Sequence, residues 1–129
     1  MQNFMKKVFT ILLTLFMSLG FSQTYSFKKA LYQEQTVKMK GKVIVSDSII
    51  TIYTNGTPAK FNVSITTDSP ISRQYKALGI SEDYEIKFIL NTPKKPTKFN
   101  IKSLLMETKD NFSGTLNYIL YYLKEDSNE

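Results

Sequence analysis

The chain has 129 residues, 17 Lys or Arg against 11 Asp or Glu, and neither His nor Cys. Those two absences exclude His-based acid–base catalysis, Cys nucleophiles, the usual zinc ligand sets, haem held by His or Cys, iron–sulfur clusters and disulfides. The formal charge is +6, but Arg73 is the sole arginine, too thin a basic endowment for a nucleic-acid-binding domain of this size.

The chain opens MQNFMKKVFTILLTLFMSLGFSQ. Lys6 and Lys7 form a positive head, residues 8–19 an apolar run, and Gly20 and Ser22 the small residues before a cut at Gln23. This pattern is that of a cleaved secretory signal peptide over 1–22. The run falls short of the ~20 residues a membrane-spanning helix needs. No Cys follows it, so lipid attachment at a cysteine is excluded. The mature chain is expected to be exported, periplasmic or secreted, with no transmembrane span. It is mildly basic, because two lysines leave with the leader, and its N-terminal Gln23 is able to cyclise. Exported proteins without cysteine fit a bacterial source. A single β domain is expected over 23–124, and the charged end, 125–129, is expected to fray.

From there the hydrophobic period is two, the mark of strands. A first strand covers 24–31, with Tyr25 and Phe27 on one face. The second, 36–45, sets Lys38, Lys40 and Lys42 against Val37, Met39, Val43 and Val45, and its central Gly41 marks a bulge or bend. Ser46-Asp47 turns the chain into a third strand, 48–54. Asn55-Gly56 is a strong hairpin signal, since both residues accept positive φ. The fourth strand, 60–67, points Phe61, Val63 and Ile65 one way, and Asp68-Ser69-Pro70 ends it. The fifth covers 71–78, with Ile71, Tyr75 and Ala77 inside. The sixth, 84–91, alternates Tyr84, Ile86, Phe88 and Leu90 with Glu85, Lys87 and Ile89. TPKKP (92–96) is a stiff loop. A seventh strand, 97–106, carries Phe99 and Ile101 inward, and a turn follows over 109–114. In the last segment, 115–123, Leu116, Ile119, Leu120 and Leu123 have helical spacing, whereas Tyr118, Tyr121, Tyr122 and the β-branched residues favour a strand. A strand is expected and a C-terminal helix is the alternative.

Loops this short leave no room for crossover helices, so the fold is all-β, an antiparallel up-and-down meander of about eight strands. Burying one apolar face calls for a small barrel, with a two-sheet sandwich as the alternative. Closure removes the open edges that invite aggregation. The strands are too short, and their polar rows too rich in Lys, Asn and Ser, for a lipid-facing barrel. The meander resembles the architecture of small exported calycin-like and lipocalin-like barrels. The likeness stops at architecture: the GxW signature is absent, as the chain has no Trp.

The chemistry left to the chain is that of carboxylates, Ser, Lys and Tyr. The five glycines form no phosphate loop. The acids fall mainly in turns, and neither SEDYE (81–85) nor KEDSNE (124–129) has calcium-loop spacing. A carboxylate hydrolase is the weakest of three readings, and no cofactor or metal is expected. Three Asn-x-Ser/Thr sequons, at Asn55, Asn62 and Asn111, matter only in a eukaryotic secretory route. The first reading is a non-catalytic binding module for a small hydrophobic ligand held inside the barrel by Tyr25, Phe27, Phe61, Tyr75, Tyr84, Phe88, Phe99, Tyr118 and Tyr122. Aromatic rings that simply fill the core would give the same pattern. The second is a cell-envelope structural or interaction protein using an outer sheet face, with Lys38, Lys40 and Lys42 as its partner-binding row. Alternation alone also puts those lysines in water, where they guard a strand against stray pairing.

Overall fold

The computed structural model describes residues 22–98 and 100–125. Residues 1–21, which lie within the expected signal peptide, Phe99 and residues 126–129 lie outside the described residues, and so does the Glu125 side chain. Eight strands follow in chain order: β1 (Gln23–Tyr32), β2 (Gln35–Val45), β3 (Ile49–Thr54), β4 (Thr57–Asp68), β5 (Ser72–Ala77), β6 (Tyr84–Asn91), β7 (Ser103–Asp110) and β8 (Leu116–Glu125). Each is antiparallel to the next, and β8 pairs back onto β1 to close the barrel. The expected all-β meander is therefore present, as a barrel and not a sandwich.

The hairpins follow local chemistry. Asn55 and Gly56 take φ of 51° and 87°, as a two-residue hairpin whose twist matches its strands requires. Ser46 caps its own turn: its hydroxyl accepts from the Ile49 N–H at 3.0 Å and donates to the Ile49 carbonyl. The 28–36 stretch is strand as far as Tyr32. It then reverses through Gln33 and Glu34, both at positive φ, with no glycine to ease the turn.

The 115–123 segment is strand from Leu116 on, not helix, because both of its edges are used, one by β7 and one by β1. β7 begins later than its alternation implies. Pro93 and Pro96 interrupt the sheet, and Thr97 and Asn100 bond each other's backbone across a small loop. Asn91 holds that loop, its side-chain amide donating to Asn100 Oδ1 and the Ile101 carbonyl, each at 3.0 Å. Residues 92–102 are thus a connection, and the Ile101 placed inward by periodicity belongs to it. Glu125, expected in the frayed end, is the last residue of β8 and pairs with Tyr25.

Three register shifts bend the wall, one of them between β4 and β5 near Ile65. The other two flank one point of β1. Against β8, Lys28 and Lys29 together oppose Tyr122; against β2, Lys28 faces both Met39 and Lys40. The irregularity expected at Gly41 is this second shift. A paired bulge on both sides of one strand gives a sharp corner.

The middle of the barrel is packed. Phe27, Val43, Ile50, Tyr75, Phe88 and Leu104, from six different strands, are each at most 2% exposed and belong to one apolar cluster. Eight strands enclose just enough room for such a layer.

Candidate functional site

The nine residues expected to line the interior divide into four groups. Tyr25, Phe27, Tyr75 and Phe88 are buried in the core, and Phe61 packs against it with its ring 5.1 Å from that of Phe88. Tyr84 has the inward parity of β6 but sits at the strand's end, 48% exposed. Tyr118 and Tyr122 face outward. The inward row of β8 is Ile119, Tyr121 and Leu123, and Tyr121 takes the aromatic place, 4.9 Å from the Phe27 ring. Phe99 lies outside the described residues. Ile71, also expected inside, is exposed in the β4–β5 turn.

Burial acts on two of the phenols. Desolvation pushes the ionisation of Tyr75 up, outweighing the opposing pull of the Arg73 guanidinium, and it does the same to Tyr121. Unfolded tyrosines titrate near about pH 10. Both forms are neutral below that, so the stabilising effect of these two phenols is complete there and is lost as pH rises through their higher folded values. The urea midpoint should therefore fall above about pH 10, and the Tyr75→Phe/Tyr121→Phe protein should retain more of its midpoint there. An equal fall in both proteins would remove these phenols from the explanation.

Outside the barrel, the corner in β1 builds a groove. Alternation would send one of two successive residues inward, but the bulge leaves both Lys28 and Lys29 in water. The 92–102 loop lies along the same wall. Between them is a depression of about 840 Å³, with Phe27, Pro96, Ile101, Tyr122 and Leu123 as its apolar lining. Lys28, Lys29, Lys38, Lys102 and Lys124 stand around it, and no acidic residue lines it among the described residues. Lys29 Nζ lies 4.9 Å over the Tyr122 ring, and Lys102 Nζ lies 5.8 Å over that of Tyr25. The Tyr122 face holds the Lys29 ammonium beside the greasy floor.

A smaller groove of about 430 Å³ lies on the other side of β1. It shares Ser26, Phe27 and Lys28 with the first, and adds Lys40, Lys42 and Tyr53. The lysine row of β2 is exposed as expected, but the bulge divides it. Lys38 faces the larger groove, and Lys40 and Lys42 face the smaller. Sequence reasoning therefore had three of the lysines and missed Lys28, Lys29, Lys102 and Lys124. The only available signal was KK at 28–29, a doublet that breaks the alternation of its strand.

Four of the carboxylates lie beside cations. Asp47 and Asp68 both bind Arg73, at 3.1 and 2.9 Å. On the outer wall, Glu85 opposes Lys109 and Lys87 opposes Glu107. Among the described residues no group of three or more acidic side chains is placed to hold a metal ion. Compared with known proteins, the chain matches no family model, no curated protein and no solved structure.

Proposed function

We propose that the protein is an exported, non-catalytic binding module that takes an anionic amphiphile, an acyl or alkyl chain with an acidic head, on its outer wall. The observation that carries this reading is the groove at the β1 corner, an apolar floor edged by ammonium groups from two strands, a loop and β8. Its volume falls in the range of roughly 300–1,000 Å³ common to small-molecule sites. The chain of such a ligand would lie on Pro96, Ile101 and Tyr122, and its head would exchange water for Lys28, Lys29 and Lys38. The packed core supports an outer site over an interior one. The leader segment, with its lysine pair and apolar run, is what delivers such a protein across a membrane.

Calorimetric titration with dodecyl phosphate tests the reading, with dodecyl maltoside and inorganic phosphate as the neutral and headgroup-only controls. Dodecyl phosphate should bind at least tenfold more tightly than either control. The Lys28→Gln/Lys29→Gln/Lys38→Gln protein should lose at least tenfold in that affinity while keeping its β-sheet circular dichroism, since all three side chains are exposed. Added salt should weaken binding to the unmodified protein. Equal affinity in the variant would end the reading. It would leave the adjoining outer row, Leu31, Leu120, Leu105 and Ile89 paired across four strands, as the surface for a protein partner.

A further inference from the structure

The barrel end that carries the 46–48 and 69–71 turns holds a second cavity, chemically unlike the groove. It measures about 430 Å³ and is lined by Asp47, Ser72, Arg73, Tyr75 and Thr92, with Val45, Leu90 and Pro70 as its apolar side. Arg73 ties two turns together here. Its Nε donates to Asp68 Oδ1 at 2.9 Å and its Nη1 to Asp47 Oδ1 at 3.1 Å. Two residues along β5, Tyr75 is 1% exposed, and its hydroxyl, beside the Arg73 guanidinium, donates to no acceptor among the described residues. A buried hydroxyl left so is costly, and native structures seldom keep one without a reason. The neighbouring guanidinium cannot supply that partner fully: it only donates, so the phenolic proton still lacks an acceptor.

We infer that this mouth binds a neutral sugar residue, with Tyr75 donating to one of its hydroxyls. Charge selects against an anion, because two carboxylates surround one guanidinium. It also offers little to an ammonium, which would sit beside the Arg73 guanidinium that already engages both acids. A sugar hydroxyl fits the set: it accepts from Tyr75 and donates to Asp47, roles that one hydroxyl fills together. Val45, Leu90 and Pro70 supply an apolar wall for the C–H face of the ring. The site is separate from the β1 groove, with which it shares no lining residue.

The test is a titration of the ¹⁵N-labelled protein with glucose, galactose, mannose and N-acetylglucosamine, and with glucuronate as the anionic counterpart. At least one neutral sugar should shift the amides of Asp47, Ser72, Arg73 and Tyr75 saturably at millimolar concentration, and glucuronate should bind more weakly than glucose. Tyr75→Phe removes only the hydroxyl and keeps the ring, so the fold stands, and affinity should fall at least tenfold. The Lys28→Gln/Lys29→Gln/Lys38→Gln protein should bind the sugar unchanged, which keeps a failure of the groove reading distinct from a failure here. The inference is overturned by the absence of any saturable shift, by unchanged affinity in Tyr75→Phe, or by glucuronate binding as well as glucose.

Discussion

Replacing Gly41 with alanine should cost the barrel about 3 kcal/mol or more, a large share of the roughly 5–15 kcal/mol that holds a domain of this size together. A Cβ built on Gly41 would lie 1.8 Å from the Tyr53 carbonyl oxygen and 2.5 Å from Cζ of Phe27. Neither neighbour can give way cheaply. The carbonyl belongs to β3, whose pairing with β2 runs from Gly41↔Thr54 to Val45↔Ile50. The ring belongs to a side chain 2% exposed and tilted against that of Tyr121. Overpacking a core with one methyl ordinarily costs about 1–3 kcal/mol, and here it would also push two strands apart. Urea unfolding followed by circular dichroism gives the comparison. Gly56→Ala is the control, since its new methyl meets nothing within 4 Å and only its positive φ is strained, a cost of about 1 kcal/mol. If Gly41→Ala were no worse than Gly56→Ala, the close approach of β2, β3 and Phe27 at the corner would be wrong.

Phe88→Ala should cost about 3–5 kcal/mol, the range for emptying a buried aromatic site. Phe88 is fully buried on β6, its backbone paired with Tyr75 on one side and Met106 on the other, and its ring tilted against Phe61. Four strands thus meet around one side chain, and the closed wall limits how far they can collapse into the space it leaves. Tyr84→Ala, at the exposed end of the same strand, should change stability by about 0.5 kcal/mol or less. The contrast bears on function. A hollow, ligand-holding interior would tolerate a smaller side chain at 88, whereas a packed one would not. A near-neutral Phe88→Ala would return the ligand site to the inside of the barrel.

The strands were legible because one wet face and one packed face impose alternation. Phe61-Asn62-Val63-Ser64-Ile65 and Tyr84 to Leu90 show it plainly, and Asn55-Gly56 marks its hairpin through backbone sterics alone. Three kinds of feature escaped. First, parity is lost where both faces are apolar. LNYILYYL (116–123) reads equally well either way, so Tyr121 was left out of the interior and Tyr118 and Tyr122 were put in. Second, a one-residue bulge reverses the faces beyond it, and pairing across strands, not composition, decides where it falls. Lys28 and Lys29 on one side of the wall follow from that, and so does the groove. Third, Phe99-Asn100-Ile101 alternates like a strand, but Asn100 and Ile101 belong to a loop held by Asn91, which lies 9 and 10 residues away in sequence. Tyr75 was legible as an inward residue. That its hydroxyl stops short of any acceptor, beside an arginine bound to acids from two different turns, is visible only in three dimensions.

The most direct measurement is a ¹⁵N–¹H map of the protein titrated with dodecyl phosphate below its micellar concentration. We expect saturable shifts centred on Ser26, Lys28, Lys29, Lys38, Ile101, Lys102 and Tyr122, with Ile50, Phe88 and Leu104 unmoved. Shifts centred on those three core residues would place the ligand inside the barrel, and no saturable shift would mean that the groove binds no such molecule; either result would contradict an outer-wall binding module.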